Sequence, residues 1–282
     1  MKWGRFDLEL ISDGHIWLDG GAMFGVVPKT LWQKKTKPDE KNRICLGMQC
    51  LLIQADSKKI LIDTGCGFKY TEKQIQIYRI EHPTSVVQEL ANLDLDPGQI
   101  DYVINTHYHF DHCGGNTLLQ GDQVVATFPN ATYLVRREEY EEAMHPNERT
   151  SATYFSHNWK PLKESGQLRL IDDDLELISG VHLIHTPGHT PGHQCVKLES
   201  EGKILFYLAD LCPTAAHVPL PWIMGYDLEP MTTLRVRKHI YQQAITEDWL
   251  LFFEHDPEVK LGRLRHRQDR YYLEEIPWQE RE

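Results

Sequence analysis

Four metal-competent side chains occur within six consecutive residues of the chain. They are His107, His109, Asp111 and His112, in a His-x-His-x-Asp-His arrangement. Imidazole nitrogen and carboxylate oxygen are ligands that divalent zinc or iron prefers. Residues two apart on an extended segment point the same way, so His107 and His109 can share one metal. The turn at Asp111 and His112 then directs two more ligands to an adjacent position, and the motif therefore predicts a metal site.

Three further metal-competent residues lie farther along the chain, each next to the end of a predicted strand. His189 lies in a Pro- and Gly-rich loop, Asp210 ends one apolar run, and His255 follows another. Strand ends are where α/β proteins gather their sites. With the first motif these residues supply seven ligands, enough for two metals with Asp210 between them. Two metals about 3.5–4 Å apart can hold one hydroxide and polarise a substrate carbonyl or phosphoryl oxygen.

Short apolar runs and amphipathic segments around these residues predict mixed α/β structure. A strand at 101–106 leads into the first motif. A helix at 84–93 lies between this strand and an earlier strand at 59–63, which gives a strand–helix–strand unit. The other predicted strands are at 6–12, 50–55, 132–135, 181–185, 194–199, 204–208 and 249–253, and the other predicted helices are at 137–144 and from 232 or 233 to 244. Because no internal repeat, low-complexity tract or clear linker interrupts the pattern, we expect one domain over residues 1–282.

Composition indicates a globular protein without nucleic-acid or membrane partners. Of the 282 residues 41% are hydrophobic and 25% are charged, and the formal net charge is −11. An acidic chain is a poor general binder of nucleic acid, because phosphate contacts need clustered Lys and Arg. No stretch reads as a membrane span or a signal peptide, so we expect a cytoplasmic protein. The six cysteines form no CxxC pair and are expected to be free thiols.

On these motifs the chain resembles the metallo-β-lactamase superfamily over nearly its whole length. The matching segments are LIDTG at 61–65, the motif at 107–112, TPGHTPGH at 186–193, Asp210, and EHD at 254–256. The resemblance implies an α/β fold, a four-layer αββα sandwich with the metals at one edge between two sheets. It also implies the ligands: for one metal His107, His109 and His189, for the other Asp111, His112 and His255, and as the bridge Asp210. Asp63 would orient the ligand loop through hydrogen bonds.

Within the superfamily, the chain is most similar to quorum-quenching N-acyl-homoserine lactonases and their esterase-like neighbours. The segments at 186–194, 20–28 and 209–214 occur in that branch. One departure matters, because well-known lactonases carry a tyrosine three residues after the bridging aspartate and this chain has Pro213 there. His217 is the candidate that replaces it as a catalytic residue, with Tyr226 as the second candidate. The departure leaves lactone specificity open, though not hydrolysis.

We therefore expect a binuclear metal-dependent hydrolase that opens a lactone or ester bond through a metal-bridging hydroxide. Its substrate would be a small molecule with an apolar acyl part, of the N-acyl-homoserine-lactone type. Asp111 is expected to give a proton to the leaving alkoxide as general acid. The cofactors are two divalent metal ions, with zinc favoured and iron, manganese and cobalt left open. By analogy alone, the resemblance also implies a homodimer.

The walls of an acyl pocket are predicted in three places. The candidates lie at 23–26 and 222–224 and at Phe68, because these segments are flanked by Gly or Pro. The alternative for 23–27 is that these residues seal the core.

Other activities share this chemistry. A phosphotriesterase or a thioesterase of the same fold would use the same ligands, although the basic helical region of a glyoxalase-II-like thioesterase is not found. The lack of a secretion signal speaks against a β-lactamase, and the acidic charge speaks against an RNA-processing enzyme. The alternative of another class is a non-hydrolytic diiron redox protein or a metal-binding protein without turnover.

Overall fold

The computed structural model of the chain describes residues 1–279, which form two compact units. The first unit comprises residues 1–14 and 48–173, and the second comprises residues 15–47 and 174–279. The single domain expected over residues 1–282 stays a prediction, and its last three residues lie outside the described part of the chain.

The first sheet leads to the His-x-His-x-Asp-His motif. In the described residues, the strands of this sheet and of a separate hairpin are β1 (Lys2–Trp3), β2 (Phe6–Asp19), β3 (Arg43–Ala55), β4 (Lys58–Ile62), β5 (Tyr102–Ile104), β6 (Thr117–Gln120), β7 (Gln123–Ala126), β8 (Thr132–Arg136) and β9 (Leu168–Ile171). The sheet has seven strands in the order β1-β2-β3-β4-β5-β8-β9, and β6 pairs with β7. In this sheet, the pairs β4–β5, β5–β8 and β8–β9 are parallel. The carboxyl ends of β4 and β5 therefore lie at the same sheet edge.

The second sheet belongs to the second unit. Its strands, in sheet order, are β10 (Leu175–Ile178), β11 (Val181–His185), β12 (Gln194–Ser200), β13 (Lys203–Tyr207), β14 (Leu250–Phe252), β15 (Leu261–Arg267) and β16 (Arg270–Ile276). β13 and β14 are parallel, with Leu205 opposite Leu250. Because these two strands run in the same direction, the segments that follow them begin at one edge of the sheet.

The helices are mostly short. The α-helices of the described residues are α1 (Gly20–Phe24), α2 (Lys29–Trp32), α3 (Glu72–Tyr78), α4 (Val86–Asn92), α5 (Phe110–Cys113), α6 (Arg137–Met144), α7 (Lys160–Glu164) and α8 (Pro230–Thr246). The Ser85 side chain caps α4 by accepting a hydrogen bond from Gln88 N. α8 begins at Pro230, before its predicted start, because proline fits the first turn of a helix. In the described part of the chain, no helix is long and apolar enough to cross a membrane.

Each unit has its own apolar core. In the first unit, Val86 and Leu90 of α4 belong to a buried cluster with apolar side chains of β3, β4, β5 and β8. In the second unit, Ile240 and Tyr241 of α8 belong to a buried cluster with side chains of β13, β14 and β15. Full burial of one large apolar side chain contributes roughly 1.5–3 kcal/mol. These cores hold the strand ends from which the candidate ligands project.

Several elements differ from the sequence prediction, and two of these differences have a clear local cause. The strand predicted at 6–12 continues as β2 to Asp19, because Gly14 adopts a positive φ of 96° within the strand instead of ending it. The sequence predicts no element at α3, whose Glu72–Tyr78 segment is mainly polar and lacks a clear apolar period. A capping box between Thr71 and Gln74 begins this helix.

Candidate metal centre

The first unit brings its four predicted ligands together after β5. The chain is extended at His109 (φ −61°, ψ 149°) and then turns into α5, which carries Asp111 and His112. The His107 ring centroid lies 4.6 Å from that of His109 and 4.0 Å from that of His112. The His112 Nε2 atom lies 3.9 Å from Asp111 Oδ2. His109 is partly exposed and the other three are buried, so the donors form one group at the surface of the unit's core.

One carboxylate orients two of these histidines. Asp63, fully buried after β4, accepts hydrogen bonds from Thr106 N at 2.8 Å, Thr106 Oγ1 at 2.6 Å and His112 Nδ1 at 3.1 Å. Because the Thr106 hydroxyl donates to Asp63, its oxygen can accept from His107 Nδ1 at 3.1 Å. Both rings then carry their proton on Nδ1 and a lone pair on Nε2, the nitrogen that would bind a metal. These contacts are the ones expected of Asp63.

The turn after His112 is packed tightly against its surroundings. A Cβ atom on Gly114 would lie 1.9 Å from the Cys66 carbonyl oxygen, so a residue with a side chain does not fit. Lys69 Nζ donates hydrogen bonds to the carbonyl oxygens of Gly114 and Thr117. Burial lowers the pKa of Lys69 to about 8. Glycine packing and one lysine therefore hold the backbone beyond the ligands.

The second unit brings its three predicted ligands together near the carboxyl ends of β13 and β14. Asp210 lies in a short turn after β13, His255 follows β14, and His189 lies in the loop between β11 and β12. His189 Nε2 lies 3.0 Å from Asp210 Oδ2, and His255 Nε2 lies 3.2 Å from Asp210 Oδ1. Each oxygen of one carboxylate therefore faces a different imidazole nitrogen. A carboxylate placed in this way is suited to bridging two cations.

Each histidine of the second unit has a separate anchor. His189 Nδ1 contacts Asp227 Oδ1 at 2.9 Å, and His255 Nδ1 contacts the Gly47 carbonyl oxygen at 2.8 Å. Burial disfavours the charged form of His189, but Asp210 and Asp227 outweigh it and raise the pKa of His189 to about 10. The two carboxylates thus favour positive charge at this position. Sequence reasoning missed both Asp227, which has no motif spacing, and Gly47, which acts through its backbone.

The donor chemistry of both units fits divalent metal. In each unit the Nδ1 atoms of two histidines contact oxygen acceptors, which leaves Nε2 for coordination. The two thiols nearest to the candidate ligands in sequence contact backbone carbonyl oxygens: Cys113 Sγ donates to Tyr108 O, and Cys212 Sγ donates to Thr214 O. Imidazole and carboxylate groups therefore make up the candidate donor set, as zinc, iron, manganese or cobalt would accept.

The environment of His217 favours a structural role. Its ring is fully buried, Nδ1 lies 2.7 Å from Thr214 Oγ1, and Nε2 lies 2.9 Å from the Met23 carbonyl oxygen. The ring also stacks on Phe24, with centroids 4.4 Å apart. Burial lowers the pKa of His217 to about 3, so the ring is neutral at physiological pH. Both nitrogens already contact protein groups, and the catalytic role predicted for His217 stays a prediction that this geometry does not favour. Tyr226, the second candidate, is partly buried.

The predicted acyl-pocket residues differ in accessibility. Met23 and Phe24 are 1% and 0% exposed, which agrees with the alternative that their segment seals the core of the second unit. Met224 is also buried, whereas Val26 and Phe68 are largely exposed. Of these candidates, Phe68 therefore remains as an accessible apolar side chain in the first unit.

Comparison with known proteins gives consistent matches. Residues 45–261 match the family model described as the metallo-β-lactamase superfamily. An N-acyl homoserine lactonase of a Bacillus species is 30% identical over 232 residues, which cover 77% of this chain and 84% of that protein. The crystal structure of a probable metal-dependent hydrolase from Staphylococcus aureus is 33% identical, with a TM-score of 0.88 over 99% of this chain and 100% of that chain.

A third match is a structure of an N-acyl homoserine lactone hydrolase with the product N-hexanoyl-L-homoserine bound at its catalytic metal centre. It is 25% identical, with a TM-score of 0.66 over 90% of this chain and 94% of that chain. Together with the first two matches, it confirms the predicted α/β fold class and the assignment as a metal-dependent hydrolase related to N-acyl homoserine lactonases. The family model spans well over half of the sequence, and the chain belongs to the metallo-β-lactamase superfamily.

Proposed function

We propose that the chain hydrolyses a lactone or ester of the N-acyl-homoserine-lactone type with two divalent cations, zinc being the first candidate. The observation that carries this proposal is Asp210, whose two oxygens face the Nε2 atoms of His189 and His255. The activities of the relatives support the substrate class, since two of them are lactonases of N-acyl homoserine lactones.

The proposed ligands divide between two cations. His107, His109 and His189 would hold one cation, Asp111, His112 and His255 would hold the other, and Asp210 would be shared. Two cations in such a site supply an activated water and polarise the substrate carbonyl.

The chain's own residues contribute orientation and proton transfer. Asp63 and Asp227 contact Nδ1 atoms of ligand histidines, which sets the tautomer that coordination needs. Hydrolysis joins the water oxygen to the carbonyl carbon and breaks the ester carbon–oxygen bond, so the leaving alkoxide needs a proton. Asp111 is the proposed donor of that proton.

The test is a substrate panel on protein of measured metal content. We expect turnover of acyl-homoserine lactones or simple esters, loss of turnover with a chelator, and recovery with zinc at two ions per chain. Turnover confined to phosphotriesters or thioesters would overturn the substrate class. Binding of one ion or none would overturn the binuclear site.

A pair of variants tests the proposed role of Asp111 as general acid. We expect Asp111→Asn to lower kcat by at least about 100-fold, whereas Asp122→Asn, at an exposed turn of the same unit, leaves it unchanged. An Asp111→Asn protein with both metals and full activity would remove the proposed acid role. The homodimer, the cytoplasmic location and the absence of nucleic-acid and membrane partners stay predictions.

A further inference from the structure

An aromatic cluster surrounds Phe110, the residue immediately before Asp111. The Phe110 ring centroid lies 4.6 Å from that of Tyr78, 5.8 Å from that of Tyr70 and 5.8 Å from that of Phe155. We call Tyr70, Tyr78, Phe110 and Phe155 the aromatic wall. All four residues belong to the first unit. The wall therefore adjoins the proposed general acid through the backbone that links Phe110 to Asp111.

The tyrosines near this wall use their hydroxyl groups differently. The Tyr70 hydroxyl donates to the Phe110 carbonyl oxygen at 3.1 Å, and the Tyr154 hydroxyl donates to Glu139 Oε1 at 3.1 Å. Among residues 1–279, no protein group forms a hydrogen bond with the Tyr78 hydroxyl, and Tyr78 is partly exposed. A phenylalanine at position 78 would pack its ring against Phe110 equally well. The Tyr78 hydroxyl thus adds a hydrogen-bond donor that the fold itself does not use.

The position of Tyr78 is well defined. It is the last residue of α3, whose first turn is capped by Thr71 and whose end is marked by Arg79 in the left-handed region, with φ 42°. The Arg79 side chain forms an ion pair with Glu81 at 2.7 Å. Ring contact with Phe110 and these two helix ends limit the directions that the phenol can take.

The chemical surroundings of Tyr78 suit an acyl substrate. Burial and then the Asp111 carboxylate raise the pKa of Tyr78, so the phenol keeps its proton at neutral pH. The same helix exposes Ile75 and Ile77, which are 42% and 53% accessible. A neutral donor beside the proposed acid, on a helix with accessible apolar side chains, can bind an oxygen of a molecule that also has an apolar part.

We infer that Tyr78 is a substrate-binding residue that donates a hydrogen bond to a carbonyl oxygen of the acyl lactone or ester. This inference rests on the proposed function. His217 is a poor alternative donor, because both of its ring nitrogens contact groups of the second unit. Pro213 carries no side-chain donor. The Tyr78 phenol is thus a partly exposed neutral donor whose ring packs against the residue before Asp111.

The test compares Tyr78→Phe with the wild type on metal-loaded protein. The substitution removes one oxygen and retains the ring contact with Phe110, so metal content and thermal midpoint should be unchanged. Loss of one donor to a carbonyl oxygen should lower kcat/KM by roughly 10- to 100-fold. Affinity for the ring-opened N-hexanoyl-homoserine, measured by calorimetric titration, should also fall. Tyr272→Phe makes the same chemical change at a side chain that is 49% exposed in the second unit, and it should match the wild type.

The outcomes separate this inference from the proposed function. If the wild type hydrolyses lactones or esters and Tyr78→Phe retains kcat/KM and product affinity within twofold, the inference about Tyr78 is wrong and the proposed function stands. A lower thermal midpoint with unchanged kinetics would assign Tyr78 a packing role and would also overturn the inference. A wild type without any turnover of carbonyl substrates would overturn both.

Discussion

In the first unit a single carboxylate, Asp63, orients two candidate ligands, whereas in the second unit each histidine has its own anchor. Asp63 contacts His112 directly and reaches His107 through the Thr106 hydroxyl. In the second unit, Asp227 anchors His189 and the Gly47 carbonyl anchors His255. One unit therefore concentrates the orientation of its ligands in one side chain, and the other distributes it.

This difference follows from where the ligands come from in the sequence. The four ligands of the first unit lie within residues 107–112, so one buried group next to that segment can reach two of them. The ligands of the second unit follow three separate strands, and no single group next to one of them serves the others. A substitution should therefore affect two ligands at once in the first unit and one ligand at a time in the second.

The largest effect is expected for Asp63→Asn. The amide nitrogen of asparagine would face the hydrogen donors of His112 Nδ1 or Thr106 Oγ1, so both histidines lose their orientation. We expect metal affinity to fall roughly 100-fold, measured by competition with a chromogenic chelator. Asp56→Asn is the matched control, because Asp56 has a similar positive φ (53°, against 55° at Asp63) but is exposed. Metal affinity within threefold of the wild type would contradict the central role of Asp63.

A smaller effect is expected for Asp227→Asn. Asparagine can still accept from His189 Nδ1 through its oxygen, but the negative charge that favours a cation at His189 is lost. We expect metal affinity to fall roughly 10-fold, with His255 and the first unit unaffected. Asp269→Asn, at an exposed turn of the same unit, should have no effect. A loss of metal affinity equal to that of Asp63→Asn would show that Asp227 orients more than one ligand, which contradicts separate anchors in the second unit.

Thr106→Val should have a still smaller effect. It removes only the contact by which Asp63 reaches His107 through the Thr106 hydroxyl. Valine has nearly the same shape but gives His107 Nδ1 no acceptor, while the contact between Asp63 and His112 remains. We expect metal affinity to fall by about three- to tenfold. Thr186→Val is the counterpart in the second unit, since Thr186 Oγ1 contacts Nδ1 of His193, which is not a proposed ligand. An equal loss for both variants would mean that the effect is not specific to His107.

The same contrast explains how much the sequence could predict. The group at 107–112 could be found from its spacing, because its members are close in sequence and the strand β5 leads directly to them. Gly47 could not be found, because its role depends on a carbonyl that every residue possesses. Asp227 and Tyr78 belong to segments without a motif or a clear apolar period, so only the packed chain reveals their contacts. His217 is a different case: its place near a candidate ligand in sequence suggested a catalytic role, which stays a prediction, and the structure shows both of its nitrogens in contact with Thr214 and Met23.

In each unit a cation holds the backbone beyond the ligands, but the two cations differ in type and in burial. In the second unit, the fully buried Arg237 donates to the carbonyl oxygens of Leu211, His217 and Trp222. Arginine keeps its charge at any pH at which the protein is folded. In the first unit, Lys69 donates hydrogen bonds to the carbonyl oxygens of Gly114 and Thr117. Burial lowers the pKa of Lys69 to about 8. The two units should therefore respond differently to alkaline pH.

The last prediction concerns the pH dependence of stability that Lys69 causes, which leaves metal affinity aside. Its folded-state pKa of about 8 lies below the reference value of 10.5, so between these values the unfolded chain binds more protons than the folded one. Stability should then rise with pH across this window, by up to about 1.4 kcal/mol per pH unit. We expect urea unfolding of metal-free wild type to show this gain between pH 8 and 9.5, whereas Lys69→Met lacks it and the exposed-site variant Lys73→Met retains it. If the free energies of unfolding of the wild type and of Lys69→Met changed with pH in parallel, Lys69 would keep its proton as Arg237 does. The two cations would then differ in geometry alone.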